Sequence, residues 1–141
     1  MEQILVDLFR DLAQKHRGVI QNYLRDYQIY LGQHRILFRL EENPKITLTE
    51  LTEILDVSKE SLSMSIKRME QAGLIDKERD TKDKRRTLLS LSPKGLETSK
   101  ACRDGFKSIN TRMFINLTEE EKENLSVLFE KMIENLEGET I

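Results

Sequence analysis

Ser58, Lys59, Ser61, Ser63, Met64, Lys67 and Arg68 put hydroxyls, ammonium groups, a thioether and a guanidinium into one short stretch. No nucleophile elbow, phosphate-cradling glycine loop or paired histidine ligands accompany them. Their chemistry is therefore recognition rather than bond-making. Hydroxyls donate and accept hydrogen bonds, and cations meet phosphates or the acceptor edge of guanine. A second cluster follows: Lys82, Lys84, Arg85 and Arg86, with Asp80 and Asp83 among them. Lys or Arg at a hairpin tip can enter a narrow minor groove, where negative potential is strongest. Neighbouring carboxylates can orient such cations through charge-assisted hydrogen bonds. Each cluster alone reads as a solvated surface, and it is their order in the chain that argues for binding.

The stretch from Leu48 to Leu91 supplies that order. Thr47 or Thr49 can cap a short amphipathic helix whose apolar positions Leu48, Leu51, Ile54 and Leu55 fit one face. Asp56 and Val57 make a turn. Ser58 caps a second helix, in which Leu62, Ile66 and Met69 at i, i+4 and i+7 face a core. The serines and cations are left mainly outward. Gly73 stops this helix. Leu74-Ile75 and Leu88–Leu91 are strand candidates, and the polar link between them is too charged to be core. Helix, turn, helix and two strands with a basic tip form a winged helix-turn-helix, which lays its second helix in the DNA major groove.

Long helices flank this module. Residues 3–30 show Ile4, Leu5, Leu8, Leu12, Val19, Ile20, Tyr23, Leu24 and Tyr27 at helical spacing. Gly18 permits a break there, and Gly32 is expected to end the helix. A helix from Gln33 to about Glu42 places Ile36, Leu37 and Leu40 inward, and Asn43-Pro44 closes it. Ser92-Pro93 opens a further helix running to about Ile115. Thr118 with Glu121 makes a capping box for the last helix. That helix carries an apolar stripe through Leu125, Leu128, Phe129, Met132, Ile133 and Leu136. The fold expected is mainly α with a small β wing and about six helices, in one domain over residues 1–141. Residues 33–95 form the winged lobe. Residues 1–32 and 96–141 form helices with no second domain to cover them, which suits a dimerisation stalk.

Composition narrows the class. Charged residues are 34% and apolar residues 38% of 141, the balance of a soluble, helix-rich chain. There is no run of eighteen apolar residues for a membrane span, and no secretory signal is expected at the start. The single Cys102 cannot form an internal disulfide, which fits a reducing cytoplasm. The net charge of −2 is unevenly spread. Residues 45–95 hold 11 basic and 9 acidic side chains, net +2, whereas residues 118–141 hold 2 basic and 8 acidic, net −6. Only charge within roughly 8–10 Å of a phosphate acts on it, so the acidic end does not exclude DNA. Affinity is expected to depend on a few well-placed contacts.

At the wing the pattern becomes specific. Asp80, Lys82, Asp83 and Arg85, followed by Leu91-Ser92-Pro93-Lys94-Gly95, resemble the Asp-x-Arg-Asp-x-Arg wing and the Leu-Thr-x-x-Gly segment of the MarR family of bacterial transcriptional regulators. Met69 to Ile75 resembles the family's helix exit, and the length matches its six-helix layout. The resemblance implies a homodimeric, sequence-specific DNA-binding regulator, with first and last helices interlocked between subunits and each lobe reading half of a pseudo-palindromic operator. Two departures stand out. Lys82 replaces a wing Arg and loses its fork geometry, and Met64 occupies a position where many members carry a cation.

Family resemblance also implies a repressor relieved by a small, often aromatic, anionic effector. Tyr23, Tyr27, Tyr30, His34 and Arg39 are the effector candidates, with ordinary packing as their plain alternative. Cys102 falls within a helix, where a small hydrophobe is the simpler role. His16 and His34 lie in different helices, so neither a metal site nor a cofactor is expected. No catalytic residue is expected. The rival reading is a winged helix used for protein interaction, with no specific DNA target.

Overall fold

A computed structural model gives the structure and describes residues 1–138. The last residues of the acidic C-terminal segment, through residue 141, lie outside them. The helices are α1 (Glu2–Arg25), α2 (Gln33–Glu42), α3 (Leu48–Leu55), α4 (Lys59–Gln71), α5 (Pro93–Met113) and α6 (Glu119–Glu137). The strands are β1 (Ile46–Thr47), β2 (Ile75–Arg79) and β3 (Thr87–Leu91). They form one antiparallel sheet in the order β1-β3-β2, with Ile46 opposite Leu89 and Ile75 opposite Leu91. The fold is that of a winged helix-turn-helix. Residues 1–106 form one compact unit, and the chain from Lys107 onward forms a second.

The lobe core is built from the expected stripes. Ile36, Leu37 and Leu40 of α2, Leu51 and Leu55 of α3, and Leu62, Ile66 and Met69 of α4 are all buried, together with Leu74, Ile75 and Leu89. Thr47, of the two candidates, caps α3 by accepting the Glu50 N–H at 3.1 Å. Asp56 takes a left-handed conformation with φ 52° and so turns the chain between α3 and α4. Ser58 caps α4 by accepting the Ser61 N–H at 3.2 Å, a contact worth ~1 kcal/mol. The Thr118–Glu121 capping box closes in both directions at 3.1 and 2.9 Å.

The structure corrects several local expectations. The first helix stops at Arg25 rather than near residue 30, and Tyr27 lies in the turn that follows. It runs unbroken through Gly18. Gly32, at φ 97°, caps the start of α2 instead of ending α1. Ile54 is exposed although its spacing pointed inward. Strand β2 continues to Arg79, well beyond Ile75, and β1 is an additional strand.

Candidate nucleic-acid interface

Helix α4 is held by one face. Leu62, Ile66 and Met69 are sunk into the lobe, so the opposite face is fixed by helical geometry. Glu60, Ser61, Met64, Lys67, Arg68 and Gln71 are exposed on it, Lys59 is exposed in the first turn above the buried stripe, and Ser63 sits half-buried on the shoulder. Ser58 is exposed, but its hydroxyl oxygen already caps the helix. Glu60 and Gln71 were not singled out from the sequence. A helical wheel drawn from the buried stripe would have found them. Glu60 is an acceptor that suits the amino group of cytosine and repels phosphate.

The far end of α4 is locked to the wing and to α5. Gly73 has φ 79°, a conformation that favours glycine. The Ser92 hydroxyl donates to the Gly73 carbonyl at 2.5 Å, and the Ser92 N–H donates to the Leu74 carbonyl at 3.0 Å. Lys94 Nζ donates to the Ala72 carbonyl at 2.9 Å. A Cβ on Gly95 would fall 2.0 Å from the Leu74 carbonyl oxygen. Glycine is thus required for the start of α5 to pass this close. The joint gives a physical role to the Ser92-x-x-Gly95 spacing seen in the sequence.

At the wing tip, both aspartates work on the backbone. Asp80 accepts the Lys82 N–H at 3.0 Å, and Asp83 accepts the Arg85 N–H at 3.0 Å. Asp83 also accepts from Arg85 Nε at 3.2 Å. These bonds from Arg85 hold the Asp83 carboxyl below its usual range. The tip is therefore folded by its own acids, and Lys82, Lys84 and Arg85 project as exposed cations. Arg86 behaves differently. Its guanidinium turns back onto Glu50 of α3 at 2.9 Å. Lys77 pairs with Glu70 at 3.6 Å and Lys45 with Glu78 at 3.1 Å, so three ion pairs brace the wing and sheet. Among the tip cations Lys82, Lys84, Arg85 and Arg86, it is Arg86 that pairs with another element.

The effector candidates separate into groups. Tyr23 donates to the Ala101 carbonyl at 2.8 Å and lies 3.3 Å from the Tyr27 hydroxyl. The hydrogen bond with Tyr27, and then burial, push the Tyr23 phenol up to about 12. Phe106 joins Tyr23 to His34, whose ring also meets Phe38 edge-on. The cation stacked on this aromatic group is Arg103, 4.2 Å above Phe38, while Arg39 pairs with Glu42 at 3.2 Å. Arg103 also binds Glu41 at 3.1 Å, and buried Ser99 donates to the same carboxylate. These partners hold the Glu41 carboxyl below its ordinary value. Tyr30 lies instead on an open hollow of about 400 Å³ with Gln21, Arg25, Gln28 and Ile29. Cys102 is fully buried, which raises its thiol to about 11. No group of three His, Cys, Asp or Glu among the described residues is placed to hold a metal, and no described helix is long and apolar enough to cross a membrane.

Comparison with known proteins follows the same outline. Residues 28–86, which span the helix-turn-helix and most of the wing, match the sequence model of the MarR family. The HTH-type transcriptional regulator YybA of Bacillus subtilis is 28% identical over 134 residues, covering 93% of this chain and 89% of that protein. Among solved structures, the YusO protein of B. subtilis superposes with a TM-score of 0.80 at 25% identity, over 95% of this chain and 97% of that one. A cysteine-to-serine variant of MarR from E. coli, crystallised with operator DNA, superposes with a TM-score of 0.73 at 25% identity, over 91% and 92%.

Proposed function

We propose that the chain, whose residues 28–86 match the MarR family model, is a transcriptional regulator of that family that acts as a homodimeric repressor, binds a pseudo-palindromic operator and is released by a small aromatic or anionic effector. The observation that carries this reading is the anchoring of α4. Three buried side chains fix one face, and a polar, cation-bearing face is left open in a fold that superposes on an operator-bound MarR. A rod about 10–12 Å across fits a major groove about 12 Å wide. Dimerisation is supported by apolar side chains that the single chain leaves uncovered. Ile4, Leu5, Leu8, Phe9 and Leu12 on α1, and Leu128, Phe129, Met132, Ile133 and Leu136 on α6, are all exposed.

In this mechanism residues 33–95 read DNA, and residues 1–32 and 96–141 pair the two subunits. The two lobes occupy major grooves roughly 10 bp apart or a multiple of that. Ser61, Met64, Lys67 and Arg68 address base edges and adjacent phosphates, while Lys82, Lys84 and Arg85 grip the flanking minor groove. An effector bound against the Tyr23, His34 and Phe106 cluster, with Arg103 as its counter-ion, favours a lobe separation that no longer fits the operator. The test is selection of bound duplexes from a random pool, repeated with small aromatic carboxylates added. Recovery of an inverted repeat whose binding weakens steeply with salt supports the reading. No enrichment of any duplex, or binding indifferent to salt, contradicts it.

A further inference from the structure

Met64 is the one large hydrophobic side chain of α4 that is exposed, at 59%. Scattered surface hydrophobes are ordinary, but this one has a particular place. At 3.6 residues per turn it lies about 200° around the helix from Leu62. It therefore stands almost opposite the stripe of Leu62, Ile66 and Met69, at the centre of the face directed away from the core. Glu60, Lys67 and Arg68 surround it on that face. More than half of it stands open rather than packed into the lobe.

We infer that Met64 is a specificity residue that seats the C5-methyl group of a thymine in the major groove. This inference rests on the DNA-binding function proposed above. The base edges of that groove display donors, acceptors and one apolar group, the thymine methyl. A thioether has no proton to donate and is only a weak acceptor. Met64 therefore cannot select guanine as Lys or Arg would at this position. It offers apolar contact, and its unbranched, polarizable chain adapts to the methyl without a fixed approach angle. The side chains around it carry the hydrogen bonds and charge. The lobe thus combines cations that hold the backbone with one apolar contact that chooses a base.

The experiment uses duplexes recovered from a random pool by the wild-type protein. Each thymine is replaced in turn by deoxyuridine, which lacks only the methyl group, and affinity is measured for wild type, Met64→Ala and Met64→Leu. At one thymine of each half-site, the wild type is expected to lose about fourfold, the worth of one buried methyl-sized group. Met64→Ala is expected to bind the thymine and uracil duplexes equally, and Met64→Leu to keep the difference. The exposed position leaves folding of both variants intact, which an unchanged melting temperature verifies. A wild-type protein insensitive to every thymine methyl overturns the assignment, as does a Met64→Ala protein with undiminished sensitivity. Tight binding with a flat thymine scan removes only this inference, whereas failure to bind any duplex removes the proposed function as well.

Discussion

Leu51 in α3 and Leu8 in α1 are the same residue type on helices of the same amphipathic kind. Leu51 is fully covered, and Leu8 is 60% exposed. The contrast holds across two regions. In the lobe, each helical stripe ends against another stripe or against the sheet, and its polar ends are capped by Thr47 and Ser58. In the first half of α1 and along α6 the stripes are as regular, but their large apolar side chains are exposed, and no α6 residue is buried. The lobe buries its stripes within itself, whereas the terminal helices carry theirs open. Under the proposed function, that division separates the surface that reads DNA from the surface that spaces two readers.

The largest expected effect comes from charging an open stripe. Leu8→Asp with Ile133→Asp is expected to give a folded but monomeric protein in sedimentation. Its operator affinity should fall on the order of 100-fold or more, the usual gain from linking two sites. If the variant remains a tight-binding dimer, the open stripes are not the pairing surface. Next in size is the lobe core. Leu51→Ala removes a fully buried side chain and is expected to cost ~2–5 kcal/mol in urea unfolding. Leu8→Ala, on the open stripe, should leave the stability of a dilute monomeric sample nearly unchanged. Equal losses for the two would erase the distinction between the regions.

Smaller effects separate the wing cations. Arg85→Ala is expected to weaken all sequences similarly and to lower the slope of log K against log salt by about 0.9 for each subunit's lost phosphate contact. Arg86→Ala removes a charge already paired with Glu50. It should leave that slope nearly unchanged while loosening the wing, and Glu50→Gln should reproduce its effect. A full drop in slope for Arg86→Ala would show that its guanidinium leaves Glu50 to reach phosphate.

The smallest effect is a pH dependence in the lobe. His34 lies below its ordinary value of 6.5, through burial and the adjacent Arg35. The folded chain therefore favours neutral imidazole, whose Nδ1 accepts the Gly32 N–H at 3.3 Å. The stability contributed by this group is present above pH 6.5 and is lost as pH falls through the folded value. Unfolding curves of the wild type should weaken over that window, and those of His34→Gln should not. Glu41, lowered chiefly by Ser99, adds a second loss at more acid pH, below its ordinary 4.5.

Much of this arrangement was legible in the chain because local patterns carry it. Ser58, Ser92 and Thr118 with Glu121 mark helix starts through contacts within a few residues, and Leu62, Ile66 and Met69 fix which way α4 turns. The details that escaped have physical reasons. Strand β2 buries only Ile75, so Asp76 to Arg79 show no alternation to read. Strand β1 has two residues and exists through pairing with β3 far along the chain. Ile54 fits a helical face, but the stripe at the end of an eight-residue helix is wider than the contact covering it. Arg86 and Glu50 are 36 positions apart, and Arg103 meets the aromatic group from α5. Long-range pairs of this kind leave no mark in spacing.

Most decisive is the stoichiometry and salt dependence of one complex. Sedimentation of the protein with a duplex carrying the selected inverted repeat should give two chains per duplex, and dissociation should steepen as salt rises. One chain per duplex, or a complex unmoved by salt, would contradict a pair of lobes spaced by shared terminal helices and held to DNA by exposed cations.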